Sequence, residues 1–294
     1  MSKVNGTDQL AEFINVDLDS NKISYNGCEF KDVIKRSKQD ISRWLYCVVH
    51  TGNPNLYYQS FSISGDRIDQ KLLKLVSDRK NLVSVKEFQG PRGTISELGG
   101  VCIDVKPVNG KVSISSFRPN ITPGFFMYVN SDSGLHGIAT YRHYISAMNS
   151  DYASSIWAKA VTELSREKVN FSAKILSNTG SYPRNDALVF YSSDDVGTVE
   201  GILVSILEKN SAPANVSILC EQVYQNLGRA EQPLTQTGFR QSFGENRCNA
   251  IAEAIQDTFT TGLDFKMLLR QRMISNGIDP TDISKGLKGK DRGL

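Results

Sequence analysis

Histidine is scarce here, three in 294 residues, and the five cysteines (Cys28, Cys47, Cys102, Cys220 and Cys248) stand singly, with no CxxC among them. No cysteine and histidine share metal-ligand spacing, so neither a zinc site nor any other cofactor is expected. An odd, dispersed set of thiols fits reduced cysteines in a cytoplasmic protein better than a disulfide framework. There is no GxxxxGK[ST] loop, no GxSxG elbow, no HExxH and no HRD with DFG. Those absences remove the P-loop, α/β-hydrolase, zincin and kinase readings. No run approaches the roughly 20 apolar residues that cross a bilayer, and residues 1–18 are polar and acidic, unlike a secretory leader. A net charge of +3 does not fit a dedicated nucleic-acid binder, which needs a concentrated basic stripe. It leaves room for a local anion pocket.

What is present is ordinary globular composition, 39% hydrophobic and 22% charged, in a chain long enough to bury a sizeable core. Residues 1–81 read as mostly helical, with a first helix near Thr7. Ser37-Lys38-Gln39-Asp40 looks like the cap of a helix carrying Ile41, Leu45 and Val48 on one face, which Gly52 can end. Another helix is expected over 66–76. Strands are expected at 82–88, 101–105 and 112–116, the last two around the turn Val108-Asn109-Gly110, and again at 125–129 and 138–145. Thereafter helix 152–168, strands 171–176 and 187–191, helix 196–209 and strand 216–219 alternate, before helices 244–258 and 264–275. Gly90-Pro91-Arg92-Gly93 and Gly99-Gly100 lack phosphate-loop spacing and read as surface turns. Asp194-Asp195 reads as a helix cap. The expected fold class is α+β: a helical N-terminal subdomain (1–81), an α/β-like domain with a mixed sheet flanked by helices (82–279), and a mobile tail (280–294). A boundary falls near residue 82 or near 131–134, with no true linker.

Four short segments carry the candidate chemistry. In Tyr141-Arg142-His143-Tyr144, a strand puts Arg142 and Tyr144 on one face and His143 on the other. A cation and a hydroxyl together can bind and protonate an anion, although a strand with one wet face looks the same. In 171–176, Lys174 falls in mid-strand, an unusual place for a lysine. A lysine crowded by other cations or partly desolvated loses its proton more readily and can act as a base, although a lysine guarding an edge strand looks the same. In Tyr182-Pro183-Arg184-Asn185-Asp186, Arg184 suits bidentate phosphate recognition, and Asp186 can orient it. In Ser242-Phe243-Gly244-Glu245-Asn246-Arg247-Cys248, Ser242 and Glu245 have capping-box spacing, and Gly244 permits close backbone approach. Arg247, with Arg240 nearby, opposes the helix dipole, which fits either a bound anion or a surface salt bridge. Cys248 reads as a buried, inert thiol rather than a reactive one.

These segments, together with Thr122-Pro123-Gly124-Phe125-Phe126, resemble the HopA-type effector family over roughly residues 98–279. The family takes its name from a type III effector, and many members lie in gene clusters for ribosomally made, modified peptides. The resemblance implies a phosphoserine/phosphothreonine lyase that makes dehydroalanine or dehydrobutyrine in a precursor peptide, beside a kinase-like partner and possibly a cyclase. It is distantly similar to the effector phosphothreonine lyases, which use a lysine base, an acid on a short strand motif and arginines around the phosphate. Carried over, Lys174 matches the base, Arg142, Arg184 and Arg247 the phosphate ligands, with Arg240 as a further cation. Those lyases have a histidine where Tyr144 falls, so the acid is either Tyr144 or His143. The alternative is a non-catalytic phosphopeptide-binding or host-directed effector protein in which the same arginines only grip phosphate. No nucleic-acid or membrane partner is implied.

Overall fold

The computed structural model describes residues 6–59, 65–77, 80–90, 93–98, 101–103, 105–119, 121–130, 140–193, 195–210, 215–233 and 241–288. The chain opens with α1 (Thr7–Phe13) and a meander of β1 (Ile14–Asp17), β2 (Lys22–Tyr25) and β3 (Cys28–Lys31). Then come α2 (Lys38–Leu45), a π-helical turn (Tyr46–His50), and the short helices α3 (Asn55–Tyr58) and α4 (Asp69–Leu75). β4 (Lys80–Ser84), β5 (Lys86–Gly90), β6 (Gly93–Leu98), β7 (Val101–Ile103), β8 (Lys111–Ser115), β9 (Phe117–Pro119) and β10 (Phe125–Asn130) follow. The last part holds β11 (Tyr141–Ala147), α5 (Ser150–Arg166), β12 (Phe171–Leu176), β13 (Arg184–Ser192), α6 (Val196–Glu208), β14 (Glu221–Tyr224), β15 (Leu227–Glu231), α7 (Phe243–Thr261) and α8 (Phe265–Ser275). The fold is α+β.

The centre is a seven-stranded sheet in the order β14-β15-β11-β13-β12-β10-β9. Every neighbouring pair in it is antiparallel, so the expected mixed sheet is not found. β11, α5 and β12 do form a crossover, but β13 lies between the two strands and runs against both. Register assigns side chains to faces, because successive residues alternate. One row reads Met127, Lys174, Val189, Tyr144 and Gly228, and the next reads Val129, Ser172, Tyr191, Arg142 and Ala230. That face packs on α2, the π-turn, α7, α8 and the N-terminal meander through Trp44, Val48, Phe243, Ile251 and Leu269. The opposite face, with Phe126, Ala173, Ile175, Leu188 and Phe190, packs on α5 and α6 through Trp157, Val161 and Leu203.

Local chemistry sets several ends. Ser37 Oγ accepts from the Asp40 amide, and Ser242 with Glu245 forms a full capping box, both as the spacing predicts. Asp195 precedes α6 but makes no side-chain cap, which corrects that reading; Asp194 is outside the described residues. The turn at Asn109-Gly110 has both φ angles positive, yet β8 pairs with β4 and not with β7. Residues 215–220 form a turn rather than the expected strand, lying so close over Gly228 that a Cβ there would sit 2.5 Å from Val216 Cγ1. Residues 1–81 are not wholly helical, since the β1–β3 meander packs its Ile14, Ile23 and Phe30 into the core shared with α7 and α8. The tail expected to be mobile is packed as far as residue 288: Ile283 and Leu287 are buried and the Leu287 amide bonds the Gly277 carbonyl. Pro91, Arg92, Gly99, Gly100 and the boundary region 131–134 lie outside the described residues.

Candidate functional site

The inner face of β11, β12 and β13 presents Arg142, Tyr144, Lys174 and Tyr191 beneath the π-turn and the start of α7. Arg142 is 8% exposed, donates from Nε to Gln232 Oε1 and from Nη1 to the Tyr144 hydroxyl at 3.5 Å, and lies over the Tyr191 ring. Lys174 Nζ stands 4.3 Å from the Phe125 ring centroid and 5.8 Å from that of Tyr191. It makes no hydrogen bond or ion pair among the described residues. Aromatic faces of this kind hold a lysine head in place.

Arg184 opens β13, after a cis peptide between Tyr182 and Pro183. Asp186 takes its guanidinium in a two-point pair, Nε to Oδ1 at 2.7 Å and Nη2 to Oδ2 at 2.6 Å. Burial alone would raise the Asp186 carboxyl, but the Arg184 guanidinium overrides it and holds it well below the usual carboxylate range. The Tyr46 hydroxyl donates to the same Oδ2 at 3.1 Å. His50 Nε2 is 3.9 Å from it, while Nδ1 pairs with Ser217 Oγ at 3.1 Å. Burial lowers His50 to about 4, and Asp186 at that distance does not restore it, so the imidazole is neutral near neutral pH. The ring also packs on Tyr46, Tyr144 and Phe243.

Arg247 sits under the same face but is closed off. It is 1% exposed, and it donates to the carbonyls of Ile283 and Lys285 and to Asn246 Oδ1. Its plane lies 4.3 Å over Phe243, and burial pulls it down to about 10. Two of its donors hold the chain's own segment 283–285 and a third holds Asn246, which corrects its reading as an open phosphate ligand. Among the described residues, Asp186 is the one carboxylate hydrogen-bonded to any of Arg142, Lys174, Arg184 and Arg247. Arg240 lies outside the described residues.

His143 points to the other face of the sheet. It is fully buried there, with Nε2 3.1 Å from Glu200 Oε1, and Arg229 bonds the same carboxylate. A single-residue step in a strand reverses the face, so His143 lies away from Lys174, whereas Tyr144 shares its face. Burial pushes the Tyr144 phenol far up, which keeps it a proton donor. Cys248 is buried and its thiol is likewise pushed well up, an inert thiol as expected. Tyr46, His50 and Gln232 are the site residues that sequence reasoning missed.

The chain matches the model of the HopA1 effector protein family over residues 116–284. It belongs to that family. Arg142, Tyr144, Lys174, Arg184 and Arg247 lie inside the matched span, whereas Tyr46 and His50 precede it. The chain is also similar to two solved effector proteins, from Pseudomonas syringae pv. tomato strain DC3000 (16% identity, TM-score 0.43) and pv. syringae strain 61 (14%, 0.42). In each case 56% of this chain and 63% of the other is covered, so the chain spans less than two thirds of their length. No curated protein matches it. Among the described residues no helix is long and apolar enough to cross a membrane, and no group of histidine, cysteine and carboxylate side chains could hold a metal ion.

Proposed function

We propose that the protein is a phosphothreonine/phosphoserine lyase that eliminates phosphate from a phosphorylated precursor peptide. The observation that carries this reading is Lys174: an amine in mid-sheet, resting on ring faces, with no carboxylate hydrogen-bonded to it among the described residues, beside Arg142 on the same face. Arg142 is buried with no carboxylate hydrogen-bonded to it among the described residues, which is costly for a cation, and a doubly charged phosphate would neutralise it. Arg142 and Arg184 would grip the phosphate oxygens, with Arg247 adding to the field from behind.

In the reaction, Lys174 as the free amine takes the α-proton of the phosphoamino acid. The released pair forms the Cα–Cβ double bond, the Cβ–O bond breaks, and phosphate leaves. Tyr144 donates to the departing oxygen, with its hydroxyl held against Arg142. The product is dehydrobutyrine or dehydroalanine in the peptide. A kinase-like protein would supply the phosphorylated substrate, and a cyclase could consume the product. The reading expects no cofactor and a cytoplasmic setting.

A phosphothreonine peptide incubated with purified protein should lose phosphoric acid, read by mass spectrometry. Lys174→Ala should lower the rate by on the order of 10²–10⁴ while phosphopeptide binding survives. Binding without elimination by the wild type, with or without the kinase-like partner, would leave the non-catalytic phosphopeptide binder instead.

A further inference from the structure

Residues 46–53 precede the family-matched span, yet they are tied to the strand start that carries Arg184. Thr51 O accepts from the Asn185 amide at 2.8 Å, and His50 O accepts from Asn185 Nδ2 at 3.2 Å. Asn53 Nδ2 donates to Pro183 O at 3.1 Å. The Tyr46 hydroxyl, on the first residue of the π-turn, reaches the carboxylate that fixes Arg184. The fit leaves little slack. Gly52 has φ +70, and a Cβ there would lie 2.7 Å from Asn185 Nδ2. A Cβ on Gly244 would meet His50 Cδ2 at 2.3 Å, so α7 closes the turn from above. Single π-turns within helices often mark functional positions, because the extra residue re-aims the side chains around it.

We infer that the turn Tyr46–His50 is a positioning device for the phosphate-binding arginine, in which the Tyr46 hydroxyl holds Asp186 and Asp186 holds Arg184. This rests on the lyase reading only for the identity of the anion. Without the Tyr46 bond, the Asp186–Arg184 pair keeps its charge but loses one of the contacts that aim it. His50, neutral and flanked by Tyr46 and Tyr144, walls the carboxylate from water. Tyr46 is a positioning residue, since it reaches Arg184 only through Asp186.

The test uses the full chain with inorganic phosphate as the probe, followed by titration calorimetry. Tyr46→Phe keeps the ring and removes only the hydroxyl. It should weaken phosphate binding on the order of tenfold, the size of one charge-assisted hydrogen bond. With a phosphothreonine peptide it should raise KM more than it lowers kcat. Arg184→Lys should weaken binding too, and adding Tyr46→Phe to it should cost nothing further, because both act through one guanidinium. Should Tyr46→Phe melt early, Asn53→Ala cuts a different tie to the same strand start and should give the same loss. Unchanged phosphate affinity in Tyr46→Phe, or losses that add in the double variant, would overturn the inference while leaving the phosphate site standing. A wild-type protein that binds no phosphate removes the reading of the site and the inference together.

Discussion

A Cβ added at Gly244 would lie 2.3 Å from His50 Cδ2 and 2.7 Å from its Nε2. The ring is buried between Tyr46, Tyr144 and Phe243 and has nowhere to retreat. Gly244→Ala should therefore destabilise the fold by about 1–3 kcal/mol, the usual cost of overpacking, measured as a lowered urea midpoint at constant slope. The sequence marks Gly244 as a place of close approach, but the neighbour it admits is an imidazole rather than a ligand. His50 also leaves a pH signature. Its ordinary value is 6.5 and burial lowers it to about 4, so below pH 6.5 the unfolded chain takes up a proton that the folded one refuses. Stability should be full above pH 6.5 and fall by up to about 3 kcal/mol on the way to pH 4. Urea titrations across that window should show the slope in the wild type and not in His50→Gln. A flat wild-type curve would mean that the ring is charged in the fold.

At the scale of elements, the sequence makes β12 legible to the residue, because alternation and length both point to a strand. Sheet direction is not legible. β12 and β13 are buried on both faces, and burial on both faces is the same whether the neighbouring strands are parallel or antiparallel. The β1–β3 meander has strands of four residues, too short for a period to stand out, although Asn26-Gly27, both at positive φ, is a readable hairpin signal. In the site, Arg142, Tyr144, Lys174, Arg184 and Asp186 are visible as polar residues within apolar strands. Tyr46 and His50 are not, since on a helical reading they fall away from the apolar face of Ile41, Leu45 and Val48, and nothing local announces a π-turn. Arg247 is visible as a cation at a helix start, but the carbonyls that occupy it come from residues 283 and 285, beyond the reach of any local pattern.

For the molecule as a whole, the inner face of the sheet is covered by both ends of the chain. Leu10, Ile23, Ile41 and Trp44 share one core with Phe243, Ile251, Leu269 and Ile283. The family-matched span alone, 116–284, leaves that face without α1, α2 and the meander. Expressed by itself it should bind a hydrophobic dye and unfold without a cooperative transition, whereas the full chain should melt sharply. A sharp melt of the fragment would show that the N-terminal elements are an addition to the core rather than part of it.

The Thr7 amide and hydroxyl both donate to the Pro280 carbonyl, and Arg247 to the carbonyls of Ile283 and Lys285. A ribosome must therefore make nearly all of the described chain before the first helix finds its last partner. Until then Arg247, buried beneath the sheet in the finished fold, lacks the two carbonyls that hold it. The fold itself therefore delays the settling of this arginine until synthesis is almost complete.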